Sequence, residues 1–98
     1  MMQYYYRDSY DAENCATFHQ ITEDYPNIRF FQPAPEKAPW HVQAILTPEI
    51  VLNFWPHKIK GQRQPMPAVE GEGALRAIID EAILDATEPP FDVIEASE

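Results

Sequence analysis

Apolar positions along this chain switch between two periods, and the switches mark out its elements. From Asp11 onward Cys15, Phe18, Ile21, Thr22 and Tyr25 recur at spacings of three and four, so they share one helical face. Ser9 or Asp11 is the expected N-cap, since either side chain can accept a free amide hydrogen of the first turn. Pro26 closes the helix, because the residue before a proline is pushed out of the helical region. Upstream, Tyr4 to Tyr6 suit either a short β start or an irregular arm.

The period then drops to two. Ile28 to Gln32 reads as a strand, and Gln32 to Pro39 as a proline-rich loop. Trp40, Val42, Ala44 and Leu46 fall on one face of the next strand, His41, Gln43 and Ile45 on the other. Thr47-Pro48-Glu49 is a tight turn. After it Ile50, Leu52 and Phe54 alternate with Val51, Asn53 and Trp55, which predicts an antiparallel hairpin. Pro56-His57-Lys58 turns the chain again, and Ile59 to Gln64 returns as a weaker, basic third strand. Pro65 to Gly73 reads as a linker. Leu75, Ile78, Ile79, Ala82, Ile83 and Ala86 then form the apolar stripe of an amphipathic helix that Pro89-Pro90 ends.

These elements predict a small two-layer α+β domain. An antiparallel sheet of three or four strands is flanked by an N-terminal and a C-terminal helix over residues 1–88. Residues 89–98 form an acidic tail, either disordered or an edge segment held by Phe91, Val93 and Ile94.

Composition narrows the function classes. The 98 residues leave room for one domain. No apolar run reaches the roughly 18 residues of a membrane span, and the N-terminus lacks the pattern of a signal peptide. The single cysteine cannot form an intrachain disulfide, so the expected setting is cytoplasmic. The net charge of −9 argues against nucleic-acid binding by broad charge neutralisation.

Charge is unevenly spread: −4 over residues 1–25, +3 over 26–66 and −8 over 67–98. On a helical wheel Glu70, Glu81, Asp85 and Glu88 fall in one sector away from the apolar stripe, with Asp80 flanking. Leu84 and Ala77 lie inside that sector. An outward leucine bordered by acids suits a partner-binding helix.

Candidate chemistry is sparse. Cys15 and His19 share a helix face at a spacing that suits two ligands of one metal. A structural zinc needs four, and His41 and His57 lack a paired spacing, so no metal is expected. The same pair as a thiolate–imidazole couple lacks a third orienting residue. Only Ser9 and Ser97 could supply a serine nucleophile, and no phosphate loop, dinucleotide fingerprint or zinc-protease motif occurs. No catalytic residue and no cofactor is therefore expected. The segment from Phe54 to Arg63 interleaves aromatics with cations, as single-strand-binding surfaces do.

The helix–strands–helix order resembles that of double-stranded-RNA-binding domains. Those domains carry a lysine cluster at the start of the last helix, where this chain reads Glu70-Gly71-Glu72-Gly73-Ala74-Leu75-Arg76. The departure falls on the binding residues, so their function is not carried over.

The leading expectation is a small acidic, non-catalytic inhibitor or adaptor. It would present Asp80, Glu81, Leu84, Asp85 and Glu88 to the basic surface of a protein partner. In size and charge it is similar to nucleic-acid-mimicking anti-defence proteins of phages and mobile elements. The alternative is nucleic-acid or ligand binding through Trp55, His57, Lys58, Lys60 and Arg63. A homodimer of structural role is a third arrangement.

Overall fold

A computed structural model describes residues 2–5 and 7–87. The tail expected over 89–98, and Glu88 before it, lie outside the described residues.

Helix α1 runs Ser9–Asp24 and is capped by Asp8, whose carboxylate accepts the Asp11 amide at 2.9 Å. Neither expected cap serves. Ser9 is already helical, and Asp11 turns back to accept from the Arg7 amide at 3.1 Å and Arg7 Nε at 3.0 Å. The buried side chains Cys15, Phe18 and Ile21 are those the spacing marks out, and the helix ends two residues before Pro26.

The sheet is an antiparallel meander in chain order: β1 Val42–Thr47, β2 Ile50–Trp55, β3 Lys60–Arg63 and β4 Val69–Glu70. The β1–β2 hairpin pairs Val42 with Phe54 and Ala44 with Leu52, and its register shifts between Ile45 and Thr47 at the turn. Helix α2 spans Glu72–Thr87. Val42, Ala44, Leu52 and Phe54 face the helices, where Phe18, Ile21, Leu75, Ile79 and Ala82 complete the core. The architecture is thus the α+β domain expected, with two helices flanking four antiparallel strands.

Three local expectations are overturned. Ile28 to Gln32 does not form a strand. Only Phe31 bridges Gln43, through backbone bonds of 2.9 and 2.7 Å. Alternation survives in the packing, since Phe30 enters the core 5.8 Å from Phe54 while Arg29 lies over the Phe31 ring. Pro33 has no amide hydrogen to extend the ladder, and the chain turns away through residues 34–38. The fourth strand lies instead within the expected linker, where Lys60 pairs with Glu70 and Gly61 with Val69. Glu70 therefore ends a strand and does not join the helix face. Finally, Trp40 does not continue β1. It sits in a turn closed by the His41 amide on Ala38 O at 3.1 Å, so it escapes the core face.

Gly61 controls how α2 seats on the sheet. It is the cross-strand partner of Phe54. A Cβ there would lie 3.1 Å from Phe54 Cδ1, 3.2 Å from Ile78 Cδ1 and 3.3 Å from Leu75 Cδ1. No described helix is long and apolar enough to cross a membrane. Gly61→Val should force α2 off the sheet and destabilise the fold by about 1–3 kcal/mol, the usual cost of overpacking. Urea denaturation checks this: an unchanged midpoint would show that the helix has room to move.

Candidate functional site

The β2–β3 connection is unusual in its backbone. Pro56–Lys58 forms a single 3-10 turn, and Ile59 after it takes the left-handed conformation at φ 45°. A β-branched residue is strained there, at a cost of order 1–3 kcal/mol. The turn buries His57 and returns the chain so that Lys60 pairs with Trp55 on the sheet face away from the helices.

Two other segments close in on this turn. Asn14 of α1 donates from Nδ2 to His57 O at 2.9 Å. The N-terminal arm is held by the Cys15 thiol, which donates to Tyr5 O at 3.3 Å. The Tyr5 ring then stands edge-to-face with His57 at 5.4 Å and with Trp40 at 5.7 Å. On the far side Trp55 stacks on His41 at 5.6 Å with 19° between the planes. His41 is fixed in turn, its Nε2 lying 2.8 Å from Asn53 Oδ1 within an amide row that runs Gln43–Asn53–Gln62.

The result is an open cleft of about 480 Å³, walled by Tyr5, Trp40, Trp55, His57 and Ala68 and rimmed by Arg7, Lys58 and Lys60. That volume lies within the roughly 300–1,000 Å³ typical of ligand sites. Trp40 is 39% exposed, a large flat apolar surface left in contact with water. Of the Arg7 guanidinium nitrogens, Nε is the one that binds Asp11 among the described residues, and Lys60 Nζ lies 3.8 Å from Glu70. Lys58 is exposed and makes no ion pair among the described residues.

His57 is the chemically distinctive member. It is 7% exposed, and its Nδ1 is buried without a hydrogen-bond partner among the described residues. Such an atom costs desolvation free energy unless something polar reaches it. Burial holds the imidazole below its ordinary pKa of 6.5, with the Asp11 carboxylate opposing and Lys58 and Arg7 assisting. It is therefore neutral near pH 7. The Arg7 hydrogen bond in turn holds the Asp11 carboxyl below its ordinary range.

The other sequence candidates are dispersed. Of the basic segment, Trp55, His57, Lys58 and Lys60 meet at the cleft. Arg63 does not, because its side chain crosses to α2 and binds Asp85 at 2.6 Å. On α2 Leu84 is 58% exposed and Glu81 is exposed beside it. Asp80 and Asp85 point to opposite flanks, about 140° apart at about 100° per residue. Asp80 accepts from Tyr25 Oη at 2.7 Å, and Asp85 is taken by Arg63. Glu88 lies outside the described residues.

Cys15 and His19 line one shallow pocket with Met2, Tyr4 and Thr22, but each is engaged separately. The buried thiol is pushed up to about 11, by desolvation first and then by the Asp11 charge, so it stays protonated. His19 is engaged by Tyr4 Oη at 3.3 Å and Glu23 at 3.0 Å. No group of three or more metal-ligating side chains occurs among the described residues.

Sequence reasoning did not place Tyr5, Arg7 or Trp40 at this site. The one signal available was compositional: Tyr5 and Arg7 repeat the aromatic–cation mixture of residues 54–63. Comparison with known proteins returns no matching family model, curated protein or solved structure.

The pH behaviour of His57 is a direct check on its burial. Its folded pKa lies below the unfolded value, so between the two the unfolded chain binds more protons. The contribution is therefore fully present above about pH 6.5 and is lost as pH falls below it. Thermal unfolding from pH 7.5 down to 5 should show a falling Tm, with a shallower fall in His57→Gln. Equal slopes in the two proteins would rule out a buried neutral imidazole.

Proposed function

We propose that this chain is a non-catalytic binding module whose working surface is the aromatic–basic cleft, and that its ligand joins a planar group to an anionic one. One observation carries the reading: three aromatic walls and three cations converge on a single cleft. Flat apolar walls favour ring stacking, and cations set around them favour a negative charge held close to the ring. A small positive excess remains after Asp11 and Glu70 are set against the rim cations.

Tryptophan fluorescence reports on Trp40 and Trp55 directly. Titration with adenosine monophosphate, phosphotyrosine and pyrophosphate should reveal saturable binding of at least one probe. The double change Lys58→Glu and Lys60→Glu should weaken it at least about tenfold, as loss of charge-assisted contacts does. No fluorescence change with any probe at millimolar concentration would sink the reading.

A second reading is supported by the exposed Leu84 beside Glu81. In it α2 docks on a basic protein surface, as an inhibitor or adaptor of the nucleic-acid-mimicking kind. Asp80 and Asp85 have partners of their own, which leaves a narrower acidic ridge than the wheel suggests. If α2 is the contact, Glu81→Lys with Leu84→Ala should remove proteins that the native chain retains from a lysate. An identical retained set would exclude it.

A further inference from the structure

We infer that the groove between the C-terminal ends of the two helices and the outer edge of β1 seats this chain's own residues 88–98, through Phe91, Val93 and Ile94. The groove shares no residue with the aromatic–basic cleft, so the two surfaces can be tested apart.

The groove encloses about 520 Å³. Tyr25, Ile28, Leu46, Ile83 and Ala86 line it, and all five pack on the core while staying half-buried. The core is therefore open at this edge. Covering it removes apolar surface from water, which favours an apolar occupant.

The edge also offers backbone. Gln43 spends its amide and its carbonyl on Phe31, at the outer edge of β1. In an antiparallel ladder these directions repeat every second residue, so the Ile45 amide and carbonyl turn to the same edge. No turn or loop bond among the described residues meets them there. The Ile45 side chain lines the groove as well and is 52% exposed. An extended segment laid along this edge gains hydrogen bonds together with apolar contacts.

Three features choose the occupant. The first is position. Helix α2 delivers the chain at the groove, since Ala86 and Thr87 line it. Phe91 follows Thr87 by four residues, each spanning at most about 3.6 Å, so it lies within roughly 14 Å of Thr87. So short a tether keeps the segment at a millimolar effective concentration beside the groove.

The second feature is pattern. Pro89-Pro90 disfavours further helix and favours extended backbone. In an extended run Phe91 and Val93 share one side and Ile94 takes the other. Leu46 and Ile45 lie on opposite faces of β1 in the same way, so both sides of the segment meet apolar surface.

The third feature is charge. Residues 88–98 carry Glu88, Asp92, Glu95 and Glu98 and no cation. Arg29 stands at the groove, exposed over the Phe31 ring, and makes no ion pair among the described residues. Asp24, the acid on the same groove, is held by Arg76 at 2.9 Å. The groove thus receives an acidic segment in preference to a basic one.

NMR of the full chain reads the contact directly. Nuclear Overhauser contacts should join the Phe91 ring to the methyls of Ile45, Leu46 or Ile83. Their absence, with Phe91, Val93 and Ile94 at unstructured-chain shifts, would overturn the inference. A mixture of labelled and unlabelled protein separates the chain's own segment from that of a second copy. Contacts seen only between differently labelled molecules would overturn the intrachain seat. Phe91→Ser should lower the Tm by about 4–8 °C, the shift for losing one partly buried aromatic in a domain of this size. It should also speed hydrogen exchange at the Ile45 amide. An unchanged Tm with unchanged exchange at Ile45 would overturn the inference.

Discussion

Phe54 and Gly61 face each other across the β2–β3 ladder, and the rest of the domain depends on that unequal pair. The phenylalanine reaches Phe18 of α1 at 5.2 Å and Phe30 of the incoming loop at 5.8 Å. The glycine gives up its side chain so that Leu75 and Ile78 of α2 can come down beside the ring. A large side chain at one position and none at its partner lets two helices share one small sheet face. In a chain of this size the core has few residues to spare, and a misfit at its centre cannot be absorbed elsewhere.

The same pair sets the far end of the hairpin. Trp55 and Lys60 are the next partners outward, and between them the chain spends only the Pro56–Lys58 turn and a strained Ile59. The strain is tolerated because both ends are tied down. Gly71, itself at φ 104°, donates to Ile59 O at 2.8 Å, and Asn14 holds His57 O at 2.9 Å. The cleft wall is thus a continuation of the core register. The arm that brings Tyr5 across is anchored by a protonated thiol, which explains what a buried Cys15 does without invoking chemistry.

Periodicity made the fold legible wherever one face of an element is buried. Both helices and the β1–β2 hairpin lie where the alternation puts them, because one-sided burial is what creates the pattern. It failed where burial is not what decides. Ile28 to Gln32 alternates as a strand does, yet Phe31 alone bridges β1, and Pro33 cannot extend that ladder onward. Trp40 has the right parity for the core face and sits in a turn. Val69–Glu70 is too short to show any period. At the cleft, the run from Trp55 to Lys60 is contiguous and was readable, whereas Tyr5, Arg7 and Trp40 arrive from distant positions with no local mark of their destination. The acidic face of α2 was readable as composition. That Asp85 is answered by Arg63 and Asp80 by Tyr25 is tertiary, and no wheel contains it.

That internal answering changes what a net charge of −9 means for recognition. Arg63 is held by Asp85, and Arg76 by Asp24 and Glu72. Arg29 lies over Phe31. These cations are therefore committed to the fold. Of those left with free capacity, Lys58 and the outer nitrogens of Arg7 stand beside aromatic walls, while Lys37 lies alone on the loop before β1. An anion approaching either helix meets a surplus of carboxylates. One that enters the cleft meets cations next to low-dielectric rings, where each charge interaction is stronger than in water. The acidity of the chain and the basicity of its cleft act in the same direction. Together they disfavour an extended polyanion and favour a small one that fits among the rings.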